Sequence, residues 1–157
     1  YTTGTVLLKS DGTAWRPIVH IEDIARAFMA VLDAPSDLVH KQIFNVGITE
    51  ENYRVRELAE IAKDTVPNSK IRYAKDAEQD KRSYRVDFSK IAQTLPKFKP
   101  QWDAHLGAKQ LYDAYKKFGI TLEEFEGPRY RRITHLENIV KNGYLDKTLR
   151  RNGSRHE

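Results

Sequence analysis

The sequence predicts an α/β fold in which short strands alternate with amphipathic helices. Extended apolar runs are followed by segments with helical periodicity, and Gly or Pro residues separate these segments. The composition agrees, because 39% hydrophobic and 31% charged residues over 157 positions are sufficient for a buried core and a charged surface. The last third of the chain is predicted to be helical.

The N-terminal part begins with two extended runs around the turn at residues 10–13. From Asp23 the apolar spacing becomes helical, and Pro35 ends this helix. We expect Asp23 to open the helix, because a carboxylate there can accept from free backbone N–H groups. The predicted face contains Ile24, Ala25, Phe28, Val31 and Leu32.

The middle of the chain continues the alternation. Residues 42–47 are short and apolar and predict a buried strand. A second helical face follows and ends before Pro67, and residues 70–75 predict another strand. Residues 80–87 are expected to be extended, with Asp87 capping a short helix. The second helical face consists of Val55, Leu58, Ile61, Ala62 and Val66.

A longer helix is predicted after Trp102 and ends at Gly119, which suits a C-terminal cap. Its apolar face is expected to pack in the core. Beyond it, Thr121 with Glu124 and Thr134 with Glu137 match the capping box and predict two further helix starts. The apolar face consists of Ala104, Ala108, Leu111, Tyr115 and Phe118.

Several classes of site are excluded by composition. The chain has no cysteine, so it has no disulfide, thiolate zinc site or cysteine nucleophile, and a reducing, cytoplasmic location is expected. Histidine and carboxylate spacings match no metal motif, and no metal is expected. No apolar run has the length of a membrane span.

The net charge of +5 favours anionic partners. A solvated basic surface is the simpler explanation, and a nucleic-acid partner ranks last because aromatic and basic residues do not interleave. No Gly-x-Gly-x-x-Gly turn or P-loop occurs, so this chain alone is not expected to hold a dinucleotide by that device.

Four segments in series resemble the C-terminal half of the extended short-chain dehydrogenases, and more narrowly the NAD-dependent nucleotide-sugar epimerases and dehydratases. They are "RPIVHIEDIARAF", "FNVG", "ENYRVRELAEI" and "DKRSYRVDFSKI". The resemblance covers most of residues 5–118. It implies that residues 18–21 and 43–46 are strands at the edge of a Rossmann-type nucleotide-binding sheet, beside the helix from Asp23. The remainder would form a small α/β substrate-binding domain.

The resemblance also implies a domain organisation. Residues 1–150 would be the C-terminal, substrate-binding portion of an epimerase or dehydratase whose N-terminal Rossmann half is absent, which agrees with the unusual first residue, Tyr1. Residues 151–157 are expected to form a disordered tail.

In the full-length parent the resemblance implies NAD or NADP, which accepts a hydride from the sugar and later returns it. The family's glycine turn and Tyr/Lys pair belong to the missing half. We therefore expect no catalytic residue, no bound cofactor and no turnover in this chain. Tyr112 and Lys116 match the Tyr-x-x-x-Lys spacing, but a chance match is unsurprising among eight tyrosines, and their neighbours are predicted to pack in the core.

Three residues are implied as substrate-binding. Arg16 and Arg82 resemble the family's nucleotide-binding arginines, and a guanidinium fork suits paired phosphate oxygens. Asn52 aligns with an asparagine that contacts phosphate or ribose. The structural alternatives are an ion pair of Arg16 with Glu22 or Asp23, and a turn role for Asn52.

The neighbours of these residues are assigned structural roles. Arg85 lies three positions after Arg82, and on an extended chain it faces the opposite side. Trp15 could stack on a base, although packing is the preferred interpretation. His20 is expected to help set the turn before the helix rather than to act as a base.

The expected partner is a nucleoside-diphosphate sugar, with no nucleic acid and no membrane. The parent is expected to be a homodimer, and the chain itself to self-associate through apolar surface that the missing half would cover. The rival hypothesis is a non-catalytic module that uses the same fold to bind a nucleotide or a protein.

Overall fold

The computed structural model describes residues 1–151, and the chain divides into two compact units. The first unit contains Tyr1 and Thr3–Ala114, and the second contains Thr2 and the chain from Tyr115 onward. The predicted extent of the substrate-binding portion, residues 1–150, stays a prediction. Of the predicted disordered tail, residues 152–157 lie outside the described residues.

The first unit contains two small sheets. Strand β1 (Thr5–Ser10) pairs in parallel with β4 (Lys70–Glu78), and β2 (Trp15–Pro17) pairs antiparallel with β3 (Asn52–Arg54). Parallel strands need a crossover connection, and the chain between β1 and β4 contains helices that provide it. The mixed α/β class predicted from the sequence is confirmed.

The predicted helices of the first unit are present. Helix α1 ends just before Pro35 and α3 just before Pro67, because proline has no N–H to continue the helix. The helices that begin in this unit are α1 (Ile21–Leu32), α2 (Ser36–Val39), α3 (Val55–Thr65), α4 (Ser89–Thr94) and α5 (Ala104–Phe118).

The core packs α1 against α4 and the residues around it. Ile91 of α4 is 1% exposed and Ala27 of α1 is buried beside it. The N-cap of this short helix is Phe88 rather than the predicted Asp87, but the Asp87 carboxylate still accepts from the Ser89 N–H of the first turn at 2.8 Å. The other buried members of this core are Phe88, Leu95 and Phe98.

Two expected strands are wrong. Residues 42–47 form no ladder with any described residue, and residues 18–20 are irregular up to the start of α1. Apolar sequence alone cannot make a strand, because a strand also needs a neighbour to receive its backbone hydrogen bonds. In 42–47 the Ile43 carbonyl instead accepts from the Lys90 ammonium at 2.9 Å, while Phe44 and Val46 pack against the core.

Two apolar helix faces are more exposed than their patterns predict. Phe28 and Leu32 of α1 are 68% and 76% exposed, and Phe118 of α5 is 79% exposed. The expectation that the α5 face packs in the core is therefore wrong for Phe118 and for Leu111, which is 52% exposed. Periodicity shows that a face is apolar, but it does not show what covers that face.

The second unit is helical, with α6 (Leu122–Glu126) and α7 (Arg132–Lys141). The capping box of Thr121 and Glu124 is confirmed at the start of α6. The second capping box is wrong, because α7 begins at Arg132 and Thr134 already lies inside it. Among the described residues, no helix has both the length and the apolar character needed to cross a bilayer.

Candidate functional site

The first unit contains an open cleft of about 850 Å³ at the carboxyl ends of β1 and β4. Because these strands are parallel, their carboxyl ends meet at one edge, which is where open α/β sheets bind ligands. The polar lining includes Lys9, Ser10, Arg16, Asp76, Glu78, Asp80, Arg82 and Tyr84, and the apolar lining is Leu7, Leu8 and Val55.

Arg16 projects into the cleft from β2, where it lies opposite Tyr53 in the antiparallel pair. Its guanidinium donates to Asp80 Oδ2 at 2.6 Å, to the Trp15 carbonyl at 2.6 Å and to the Arg82 carbonyl. The guanidinium carbon also lies 5.4 Å from the centre of the Tyr84 ring. With its side chain only 22% exposed, Arg16 is held firmly by acceptors on several sides.

The alternative partners of Arg16 are occupied elsewhere. Glu22 and Asp23 form ion pairs with Arg26, at 3.4 and 2.9 Å. The junction before α1 therefore has its own local cation, and Arg16 remains in the cleft.

Arg82 reaches the same carboxylate from the segment after β4. Its Nε and Nη2 donate to Asp80 Oδ1 and Oδ2 at 3.1 and 3.2 Å, the paired geometry of a guanidinium fork. These hydrogen bonds, with the nearby charge of Arg16, hold the pKa of Asp80 below its usual range. The structure thus brings Arg16 and Arg82 together on one carboxylate, although the Arg82 side chain is 84% exposed.

Asn52 does not line the cleft. Its side-chain amide donates to the carbonyls of Thr49 and Val86 at 2.8 and 2.9 Å, and its oxygen accepts from the Val86 N–H at 2.9 Å. Asn52 is also 7% exposed. The amide fastens the turn before β3 to the segment before α4, so the geometry favours the turn role. The assignment of Asn52 to phosphate or ribose stays a prediction that this geometry does not support.

Trp15 contacts two cations and does not line the cleft. The guanidinium carbons of Arg54 and Arg85 lie 5.2 and 4.7 Å from its ring centre. Arg85 therefore faces Trp15 while Arg82 and Tyr84 line the cleft, which is the alternation expected along an extended chain.

The start of α1 differs in detail from the prediction. His20 is the N-cap, and its Nδ1 accepts from the Glu22 N–H at 3.1 Å. Its ring stacks on Trp102 at 4.0 Å, and its Nε2 bonds Gln110 Oε1 at 2.7 Å. Asp23 does not open the helix but lies within it, 1% exposed, and binds the backbone before α5.

Other candidate chemistry lies outside the cleft. Tyr112 and Lys116 are both on α5 and neither lines the cleft, while the Tyr112 ring meets that of Tyr1 edge to face at 6.0 Å. Across the described part of the chain, no group of three His, Asp or Glu residues is placed to hold a metal ion. The site residues that the sequence missed are Asp80 and Tyr84, and the only local signal was an acid two positions before Arg82.

Residues 2–47 match the family model of the NAD dependent epimerase/dehydratase family. A similar solved structure is UDP-glucuronic acid 4-epimerase from Bacillus cereus in complex with UDP-glucuronic acid and NAD. It is 20% identical with a TM-score of 0.57, and the match covers 73% of this chain and 35% of that chain. The resemblance to the extended short-chain dehydrogenases is thereby confirmed.

Two further solved structures have the same fold. L-threonine dehydrogenase from Clostridium difficile is 18% identical with a TM-score of 0.61, over 76% of this chain and 38% of that chain. The PbgP3 protein from Burkholderia pseudomallei is 22% identical with a TM-score of 0.56, over 74% and 36% of the two chains. The chain spans little more than a third of the length of these structures, and at such identities the likeness shows a shared Rossmann-type α/β fold.

Proposed function

We propose that this chain is the nucleotide-sugar-binding portion of an NAD- or NADP-dependent epimerase or dehydratase. The observation that carries the proposal is the meeting of Arg16 and Arg82 on one anionic group, Asp80, in a cleft at the carboxyl ends of parallel strands. A diphosphate is an anionic group of the kind that paired guanidinium forks recognise.

The dimensions of the cleft support this ligand class. Its volume of about 850 Å³ lies within the usual range for small-molecule sites, roughly 300–1,000 Å³. The Tyr84 ring offers a flat surface beside the arginines for a base or sugar.

The two arginines have different parts in this proposal. Arg16 is preorganised, because the carbonyls of Trp15 and Arg82 fix its guanidinium before any ligand arrives. Arg82 is exposed and closes on the ligand from the solvent side. Preorganisation reduces the entropy lost on binding, so Arg16 is the anchor and Arg82 the adjustable contact.

In the proposed parent, the nicotinamide cofactor supplies the hydride chemistry. This chain contains no glycine-rich dinucleotide turn, so its own contribution is to bind and orient the substrate. We expect no turnover from the chain alone, and epimerase activity from the pure chain would contradict the proposal.

Calorimetric titration of the chain with uridine diphosphate tests the binding site. Removing one charge-assisted contact should weaken binding by about 10- to 100-fold, so Arg16→Ala and Arg82→Ala should each show such a loss. Arg72→Ala is the matched control, because Arg72 is an exposed arginine of β4 that does not line the cleft. Unchanged affinity in both cleft variants would dismiss the assignment.

L-threonine is a necessary comparison ligand, because an L-threonine dehydrogenase shares the fold. It carries no diphosphate, so it presents fewer anionic oxygens to the two guanidinium groups. Binding of L-threonine in the absence of uridine diphosphate binding would assign the cleft to amino-acid chemistry instead.

The rival proposal is a non-catalytic module that binds a nucleotide or a protein, and it predicts a parent without catalytic residues. A glycine turn and a Tyr-x-x-x-Lys pair encoded upstream of Tyr1 would support the enzyme. An upstream sequence lacking both would support the module.

We also propose that this chain associates with itself through the exposed apolar stripe of α1. The parent is proposed to be a homodimer and to be cytoplasmic. Ile21, Phe28 and Leu32 are 69%, 68% and 76% exposed at helical spacing. Removing this stripe from water favours association. Sedimentation should show dimers that Phe28→Lys converts to monomers, whereas a clean wild-type monomer at high concentration would contradict the proposal.

A further inference from the structure

The charges that line the cleft are balanced. Lys9, Arg16 and Arg82 are positive, and they are matched by the carboxylates of Asp76, Glu78 and Asp80. A cleft that binds a diphosphate should attract anions, yet this lining offers no net positive charge. The arrangement of the charges must therefore decide what the cleft binds.

Asp80 occupies the donors that a phosphate would need. Its Oδ2 accepts from the Nη2 atoms of Arg16 and Arg82 at 2.6 and 3.2 Å, and its Oδ1 accepts from the Nε and the backbone N–H of Arg82 at 3.1 and 3.0 Å. Guanidinium groups bind phosphate oxygens with the same paired geometry.

We propose that Asp80 is a built-in competitor for the ligand, whose carboxylate fills the arginine pair in the empty cleft and must be displaced when a diphosphate binds. This inference rests on the proposed function. The carboxylate and a diphosphate cannot share the two guanidiniums closely, because like charges a few ångströms apart repel strongly where water is partly excluded. Binding is therefore an exchange of anions.

The surrounding chain allows this exchange. Asp80 and Arg82 follow the end of β4 in a segment without ladder hydrogen bonds, and the Arg82 side chain is mostly exposed. Rotation of Asp80 toward solvent breaks its ion pairs and its hydrogen bond from the exposed Arg82 N–H, but it breaks no strand pairing. Arg16 keeps its carbonyl acceptors at Trp15 and Arg82, so its guanidinium stays in place for the incoming phosphate.

The competitor also sets specificity. A diphosphate brings two phosphoryl groups, and it can engage Arg16 and Arg82 at the same time. A monophosphate offers one group in exchange for a carboxylate that already engages both arginines. Asp80 should therefore suppress monophosphate binding more than diphosphate binding, which makes it a specificity-determining residue.

The test is titration of uridine diphosphate and uridine monophosphate into the wild-type chain, Asp80→Asn and Asp76→Asn. Asp76→Asn is the matched control, because it removes one negative charge from the same lining without touching the arginine pair. Asp80→Asn should bind the diphosphate about tenfold more tightly and discriminate less between the two nucleotides, while the control changes affinity by less than about threefold. Asp80→Ser is a second variant, and tryptophan fluorescence verifies that each variant is folded.

The outcomes separate the inference from the proposed function. If Asp80→Asn and Asp80→Ser bind the diphosphate no more tightly than wild type, Asp80 positions the arginines and the inference is overturned. Equal tightening in Asp76→Asn and Asp80→Asn also overturns it, because cleft charge alone then explains the effect. If no variant and no wild-type chain binds uridine diphosphate, the proposed function itself fails.

Discussion

Replacing Asp23 with alanine should destabilise the first unit strongly, because this buried carboxylate joins α1 to the segment before α5. Its two oxygens accept from the Gln101 N–H at 3.0 and 3.1 Å, and Oδ2 accepts from the Trp102 N–H at 3.0 Å. The side chain is 1% exposed and also pairs with Arg26 at 2.9 Å.

The magnitude follows from the bonds that Asp23→Ala removes. Two backbone N–H groups lose their acceptor, and each unsatisfied buried donor costs about 1–3 kcal/mol. The two donors together therefore cost about 2–6 kcal/mol. Because Gln101 is exposed and water can partly replace the carboxylate there, we expect a loss of about 3 kcal/mol, in the lower half of that range. For a chain of this size that corresponds to a fall in Tm of roughly 6–12 °C.

Urea denaturation followed by tryptophan fluorescence measures this loss. Both tryptophans, Trp15 and Trp102, lie in the first unit, so the signal reports the unfolding of that unit. Asp113→Ala is the control, because Asp113 is 55% exposed and has an exposed ion pair with Lys109, and it should change stability by less than about 0.5 kcal/mol. A loss below about 1 kcal/mol in Asp23→Ala, or an equal loss in the control, would refute the reasoning.

Two further predictions concern the same unit. Burial and the hydrogen bond to Glu51 raise the pKa of Tyr53 to about 12, so its neutral form stabilises the fold fully below pH 10 and that stability is lost as the pH rises toward 12. Between pH 9 and 12 the urea midpoint should therefore fall less steeply in Tyr53→Phe than in the wild-type chain, and identical slopes would contradict this. Gly12 has φ +75°, and an added Cβ would lie 2.9 Å from Arg56 Cβ, whereas Gly4 has φ +61° and an added Cβ there would meet open space. Gly12→Ala should therefore lower the urea midpoint more than Gly4→Ala, and the reverse order would count against the packing argument.

Local signals predicted the helices of this chain well. Pro35 and Pro67 end their helices by chemistry that needs no tertiary context, and Gly119, with φ +67°, follows α5 as a C-terminal cap should. The failure at residues 42–47 has the opposite cause, because strand pairing depends on a neighbour distant in sequence. Thr134 and Glu137 show that a capping pattern can also occur inside a helix.

The candidate site was only partly predictable. Arg16 and Arg82 followed from a resemblance, and their shared cleft depends on β4 ending beside β2, which no local pattern encodes. Asp80 was missed because an acid next to a basic run ordinarily lies on a solvated surface. Asn52 was misleading for a related reason, since nothing in the sequence shows that its amide binds the backbone of Thr49 and Val86.

A crystal structure of the chain with uridine diphosphate bound would test the central claim most directly. The diphosphate should lie between the guanidiniums of Arg16 and Arg82, with the Asp80 carboxylate turned away from both. A nucleotide bound elsewhere, with the ion pairs of Asp80 to both arginines intact, would contradict the account.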